Sequence, residues 1–398
     1  MNKKLSMAVA GAVMAFGASA ANAGITIPAG DWTIDIGGNV NAYYTHTSFS
    51  GDQESNVKGA FTDKSANTVQ TGLLPSALGI GGKTRQNDLD IAFQFTFFTG
   101  SDSGTGQAFG NNSLNIRQSY LTFGDKSWGT IKGGRDLGIF ASDAILSDMT
   151  LLGVGAGAGQ GGSSTLGRIG SGYQYADWKG QISYASPNWN GFDFAVGITE
   201  GYKNAVDSTN ANLGYEGKVG YTWAGDVSGK VWAGFVSQKH EGTVLVDSYT
   251  TRGVDVGAKV AVAGFGLVGY YYDGRGLSGA ATAASANSNL NLNGGVNFLG
   301  TAKTDDKGGY IQGTYTIPGV GTKLGLSYGE SKSDAKVGTN DFKNKSWIVG
   351  AYHPLTKSLN LVAEYTDNKI DGTNANGSGT DNIDLKAKTV SLGAIMFF

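Results

Sequence analysis

The stretch Asp88-Leu-Asp-Ile-Ala-Phe-Gln-Phe-Thr-Phe-Phe98 decides the fold. In an extended chain, Leu89, Ile91, Phe93, Phe95 and Phe97 point one way, while Asp88, Asp90, Ala92, Gln94 and Thr96 point the other. A strict period of two marks a β-strand with one greasy face and one wet face. The pattern returns further on. Leu213, Tyr215, Val219, Tyr221 and Trp223 alternate with Asn212, Glu216, Lys218 and Thr222, and Phe192, Phe194, Val196 and Ile198 with Asp193, Ala195 and Thr199.

Composition says where such strands can live. The chain opens on Asn2-Lys3-Lys4, continues through an apolar run from Leu5 to Ala20, and reaches the small-x-small triplet Ala21-Asn22-Ala23, which predicts a secretory signal peptide over residues 1–23. A spanning helix would need ~20 strongly apolar residues. Removing 23 of the 398 residues leaves a mature chain of residues 24–398, and the loss of two lysines leaves 28 basic groups (30 − 2) against 32 acidic ones. That balance excludes the basic footprint of a nucleic-acid binder. With no cysteine, an exported fold holds without disulfides.

Glycine is abundant, 65 residues against 5 prolines, without a collagen-like period, and the interleaved aromatics argue against a disordered linker. No later stretch is apolar for long enough to span a bilayer as a helix. An exported chain that enters a membrane by strands must close them into a barrel, since only closure pairs every backbone group. The soluble alternative is a large sandwich or solenoid, which the number and regular spacing of the strands disfavour.

Sixteen candidate strands follow: 32–48, 71–84, 88–100, 112–125, 129–137, 171–186, 191–201, 212–223, 227–241, 249–262, 265–275, 309–317, 323–332, 345–353, 359–369 and 387–398. An even count brings both ends of a bacterial barrel to one side. Connections alternate between short turns, such as Gly225-Asp226 and Ala263-Gly264, and longer polar segments at 49–70, 101–111, 137–169, 277–306 and 371–385. The short turns are assigned to the periplasmic side and the long segments to the outside. Aromatics near strand ends, among them Tyr43, Tyr44, Trp189, Trp223, Tyr271 and Trp347, suit interfacial girdles. One transmembrane antiparallel β-barrel domain, residues 24–398, accounts for the mature chain. Segment 137–169 stands apart, because it follows the hairpin of Asn112–Leu137 and carries Asp143, Asp148, a glycine-rich run from Gly153 to Gly162, and Arg168. It is the candidate for narrowing a pore.

Several local stretches resemble the trimeric sixteen-stranded porins of Gram-negative outer membranes. They are Leu78-Gly-Ile-Gly-Gly82, Arg117-Gln-Ser-Tyr-Leu-Thr-Phe-Gly124, Gly129-Thr-Ile-Lys-Gly-Gly-Arg135, Ile182-Ser-Tyr-Ala-Ser-Pro187, Gly350-Ala-Tyr352 with Leu355-Thr-Lys357, and the terminal Phe398. The resemblance implies a third outer loop folded into the lumen and a homotrimer. It also implies recognition of the terminal aromatic by the barrel-assembly machinery, and partners limited to outer-membrane lipid and small hydrophilic solutes and ions. In that family the acids of the loop face basic groups on the wall. Arg117 matches such a wall arginine, and Lys132 shares the pore-facing parity of its strand. Arg135 matches an arginine that pairs at a subunit contact with an acid of the second loop, here Asp102. The chain departs from the family at Ala77, where an arginine is common, and lacks the enteric loop motif; a further wall basic position falls near Asp177 or Lys179.

The expected constriction is thus Arg117, Lys132, Asp143, Asp148 and Arg168. A simpler role for the two acids is to cap a short helical turn while the apolar residues beside them pack the loop on the wall. Parity puts Glu216, Lys218, Lys230, Asp255, Lys259 and Glu364 in the lumen as solvated wall charges. The chain is expected to be a passive channel and not an enzyme. One alternative is a barrel selective for small organic anions through Arg117, Lys132 and Arg168. A remote one is an outer-membrane phospholipase built on His46-Thr47-Ser48, for which no orienting third residue can be named. His240 and His353 stand alone, so no metal site and no cofactor is expected. The glycine run is not a phosphate loop, because no lysine-serine/threonine ending or helix follows it.

Overall fold

A computed structural model describes residues 24–52, 64–100, 114–158, 164–200, 212–241, 248–277, 303–335, 341–376 and 379–398. Its strands are β1 (Ile25–Ala29), β2 (Trp32–Asp52), β3 (Ser65–Gln70), β4 (Ser76–Gln86), β5 (Leu89–Thr99) and β6 (Asn115–Asp125). Next come β7 (Gly129–Leu137), β8 (Trp178–Ala185), β9 (Phe192–Thr199), β10 (Gly214–Trp223), β11 (Val227–His240) and β12 (Tyr249–Val262). The last are β13 (Phe265–Arg275), β14 (Thr304–Thr316), β15 (Lys323–Ala335), β16 (Asp341–Pro354), β17 (Leu359–Asn376) and β18 (Gly379–Phe397). Neighbours pair antiparallel, and β18 returns to β2, so the sheet is closed.

The eighteen segments fill sixteen positions. β3 and β4 share one, pairing with the upper and lower halves of β2 along the same edge. The other edge of β2 takes β18 along residues 39–52 and β1 along residues 32–36, so the N-terminal segment continues the line of the C-terminal strand. At the junction, Gly38 N–H donates to the Phe398 carbonyl at 2.9 Å and Phe398 N–H to Gly38 at 3.1 Å. The chain ends thus close the barrel against one strand.

Several boundaries differ from the expected ones. The end of β2 and all of β3 lie in the segment 49–70 expected as a loop, where they pair with each other or with β18, and β14 begins inside the expected loop 277–306. The strand expected over 71–84 is broken at 71–75, because Pro75 has no N–H for the ladder and the Asn41 side chain satisfies Gly72 N–H and the Leu74 carbonyl instead. Residues 171–177 are not strand; they belong to the long segment after β7, where Gly172 N–H donates to Ser331. The segment 371–385, expected as a loop, is largely strand. There, outward-facing charges pair across strands, as in Lys345–Asp371 at 3.4 Å and Lys369–Asp384 at 3.6 Å, so a polar stretch remains in the ladder.

The greasy face looks outward. Leu121, Val196, Val219, Val256, Leu267, Ile311, Leu326, Val349 and Leu392 are all exposed, as a bilayer-facing band requires. The opposite parity combines polar and small residues with buried apolar ones, among them Trp232, Val236, Ile348, Val362 and Ile395, and much of it is buried under the segment between β7 and β8. Val196 and Ala195 sit at one depth on opposite faces. We expect Val196→Arg to lower folding free energy in lipid vesicles by about 2–4 kcal/mol and Ala195→Arg by far less, as read from urea unfolding; equal losses would contradict the assignment of faces.

Candidate pore-narrowing segment

Segment 138–177 carries two short helical turns. One is α1 (Ser142–Ile145), and the other is a 3-10 turn, Met149–Leu152, whose first free amide, at Thr150, is capped by the Asp148 carboxylate at 2.9 Å. Many of its amides bond to carbonyls of the same segment, but those of 139–141, 149, 154 and 155 do not, and the wall satisfies them. Three wall carboxylates do so. Glu216 on β10 accepts the Ile139 and Phe140 amides at 2.7 and 3.0 Å. Asp255 on β12 accepts Ala141 N–H at 3.1 Å, holding a non-glycine residue at φ 60°. Glu364 on β17 accepts the Val154 and Gly155 amides, each at 2.8 Å, and the Tyr352 hydroxyl at 2.6 Å.

Neutral groups extend the attachment. Gln312 on β14 receives Met149 N–H and donates to the Ser147 carbonyl, and Tyr310 donates to the Ala144 carbonyl. Tyr43 and Thr47 on β2 reach the carbonyls of Leu152 and Ala158. The segment therefore lies along the polar face from β10 round to β17 and β2. The side chains of β5 to β7 with the same parity, Gln94, Thr96, Gln118, Thr122, Lys132 and Asp136, lie outside this run of attachments.

The charged pairs differ from those expected. Asp143 does not meet Arg117 or Lys132; it binds Lys218 of β10 at 2.9 Å and Lys230 of β11. Burial opposes its ionisation, but the two lysines outweigh that and hold the carboxyl below the usual carboxylate range. A carboxylate depressed on folding contributes stability above its unfolded value, near 4, and loses it only as pH falls through the lower folded value. The contact therefore persists through neutral and mildly acid pH.

Asp148 is an internal strut, accepting Arg168 N–H at 3.1 Å and the Tyr173 hydroxyl at 2.7 Å. Its alternative role as a cap is the one realised. Arg168 is fully buried in the seam with β15 and β16, where its guanidinium donates to Ser327, Ser346 and the Ser171 carbonyl. Burial pushes its pKa down to about 10, and a residue so placed meets no solute. Lys132 pairs with Asp136 of its own strand. Arg117 enters where β5 and β6 slip register between Thr96 and Phe97, and its guanidinium lies 4.7 Å from the Phe98 ring and 5.9 Å from the Trp178 ring.

Of the expected solvated wall charges, Glu216, Asp255 and Glu364 are instead buried anchors. Lys218 and Lys230 are half-buried under Asp143, and Lys259 alone is exposed. Lys179, not Asp177, carries the further wall cation, and it pairs with Glu216. Arg135 is exposed on the outward parity, and Asp102 lies outside the described residues. The serine anchors Ser327, Ser331 and Ser346 were missed, although their inward parity was legible.

At the outer face, Ser48 Oγ lies 3.4 Å from His46 Nε2, and His46 Nδ1 lies 2.8 Å from Asn67 Oδ1. Asn67 supplies the orienting group that could not be named from sequence. The same oxygen also accepts the Tyr44 hydroxyl at 2.9 Å.

A closed sixteen-stranded barrel, apolar outside and polar within, with one segment fastened to its inner face, defines an outer-membrane channel of the β-barrel class. A family model described as Gram-negative porin matches residues 8–373, and the chain belongs to that family. Its fold is similar to Salmonella typhi OmpF in complex with daunomycin, with TM-score 0.63 and 18% identity over 94% of this chain and 100% of that one. It is also similar to an anion-selective porin from Comamonas acidovorans, with TM-score 0.61 and 17% identity over 92% and 100%. The outer membrane channel DcaP of Acinetobacter baumannii gives TM-score 0.58 and 18% identity over 94% and 100%. At these identities the likeness is one of fold. No curated protein sequence matches the chain.

Replacing Glu364 with Ala strands two amides and a tyrosine hydroxyl. Each hydrogen bond to a charged group contributes roughly 1.5–3 kcal/mol, so amide exchange at Val154 and Gly155 should quicken by ~10-fold or more. Unchanged exchange by mass spectrometry would contradict the anchoring role.

Proposed function

We propose that the protein is a passive, water-filled channel for ions and small hydrophilic solutes, narrowed by segment 138–177 lying inside the lumen. The observation that carries this is the attachment of the segment to inward carboxylates on β10, β12 and β17. A chain fastened to that parity occupies cross-section otherwise open to water, and leaves an aperture bounded by its edge and the polar wall of β5 to β7. Mixed charges in such an aperture act on permeating ions through their summed field.

The protein works as a homotrimer in the outer membrane. The trimer form in which Vibrio cholerae OmpT is described, a structure with TM-score 0.59 and 16% identity over 92% of this chain, supports that assembly. Arg135, a cation on the outward face, suits a subunit contact better than lipid. Export uses residues 1–23 as a cleaved signal peptide, and Phe398 is the assembly signal read by the barrel-assembly machinery. The mature N-terminus is then Gly24.

No catalysis is assigned. The Ser48–His46 distance is long for proton transfer, and the Asn67 oxygen is shared with Tyr44. Ser48 also sits within a ladder, paired with Lys388 on one side and Ser65 on the other.

In planar bilayers the purified protein should give stepwise conductance in groups of three, and a folded protein that never conducts would overturn the channel. Hydrolysis of phospholipid that disappears in Ser48→Ala would establish the enzyme instead.

A further inference from the structure

The edge of segment 138–177 meets the wall at Ile139, whose Cδ1 lies 3.1 Å from where a Cβ on Gly197 of β9 would stand. From there across β8 and β7 to β5, the inward positions that keep some exposure are small, apart from Lys132. Ala92, Thr130, Ser183, Ala185, Ala195 and Gly197 are all half-buried, and the cross-strand register sets them side by side in two adjacent rows. Lys132, the one charged group in those rows, is neutralised in place. It pairs with Asp136, whose second oxygen accepts the Gln118 amide at 2.9 Å. Gln118 accepts in turn from Thr96, and Thr96 from Gln94, so the wall above the rows is a chain of amides and hydroxyls. Ser183 gives its proton to Gln181 at 3.1 Å and keeps its oxygen lone pairs for a further donor.

The rest of the inner charge is balanced, and most of it is in contact. On β7 to β12 the inward cations are Lys132, Lys179, Lys218, Lys230 and Lys259. The acids among them are Asp136, Asp193, Glu216, Asp255 and, from the segment, Asp143, so the two signs are equal in number. Arg168 with Asp148, and Arg117 with Asp177, add one of each sign apiece. Lys132 and Lys179 each bind one acid, and Asp143 with Lys218 and Lys230 leaves one positive charge. Asp193, Asp255 and Lys259 together leave one negative charge, which cancels it. Opposite charges in contact act on a passing solute only as short dipoles, because their fields largely cancel at a distance.

We propose that the wall from β5 to β9 is the face along which solutes pass, and that it favours uncharged polyhydroxy solutes of sugar size over anions or cations of equal size. The proposal rests on the channel reading above and names its solute class. A polyol exchanges water for the hydroxyls and amides of this wall with little loss. An ion gives up hydration there and meets no unpaired charge in the two rows to replace it.

Swelling of proteoliposomes in a neutral hexose, the corresponding sugar acid and the amino sugar tests this. Wild type should admit the neutral sugar about twofold faster than either charged one, and the two charged sugars at similar rates. Ala185→Asp should raise the ratio of amine to acid entry about twofold, and Ala185→Lys should lower it by about the same factor. Ala195→Phe, which fills the wall, should slow all three sugars. A charged sugar that enters wild-type channels as fast as the neutral one would overturn the solute class. Variants at Ala185 and Ala195 that fold, as judged by heat-modifiable mobility on gels, and keep wild-type rates for all three sugars would overturn the path. No swelling with any solute, in wild type or variants, would instead remove the channel reading itself.

Discussion

Three buried wall carboxylates, Glu216, Asp255 and Glu364, each accept backbone amides from one irregular segment, and the interior of the barrel is organised around that constraint. Closure of the sheet satisfies the strands but does nothing for the non-strand chain described between β7 and β8, residues 138–158 and 164–177. Those residues expose amides that water would otherwise solvate. Carboxylates are strong acceptors for such amides, and burying a charge is costly unless it is hydrogen-bonded in this way. The segment and its anchors support each other: the amides of 139–141, 154 and 155 give the buried acids their donors, and the acids give those amides their acceptors. Close approach tightens the fit. A Cβ on Gly153 would stand 2.0 Å from the Glu364 carboxylate, so only glycine is accommodated there.

Charge is sorted by face and by height. On the outward parity, Lys, Asp and Glu side chains occupy the upper strand ends and pair with their cross-strand neighbours, which keeps long strands in register beyond the apolar band. On the inward parity, the acids that hold the segment are buried, while Lys218, Lys230 and Lys259 stand beside or below it. Channel selectivity depends on charges that water and ions can reach, so the buried anchors count for architecture.

Much of this was legible in the sequence. Period-two alternation gave the strands and the assignment of each side chain to lipid or lumen, and the break after Leu137 marked the special segment. Alternation could not supply the azimuth. Parity says that Lys132 and Lys230 both face inward, but not which of them lies under Asp143; that depends on the path of a segment with no period at all. The register slip between Thr96 and Phe97 changes how Arg117 enters the interior, and a slip of that kind leaves no composition signal. Arg168 reads as a pore cation because charge usually seeks water, yet serine hydroxyls and carbonyls from three elements hold its Nε and Nη1 in the seam. Polarity makes the strand ends near 371–385 look like loop, yet their ion pairs keep them in the sheet. Asn67 could not be foreseen beside His46, since only the β2–β3 register brings them opposite one another.

The central claim is that the fastened segment sets the aperture. Single-channel conductance of a variant lacking residues 139–173, joined by a short glycine-serine linker, tests it most directly. The account predicts a folded channel with conductance raised severalfold over the intact protein. A folded variant whose conductance equals that of the intact protein would contradict it.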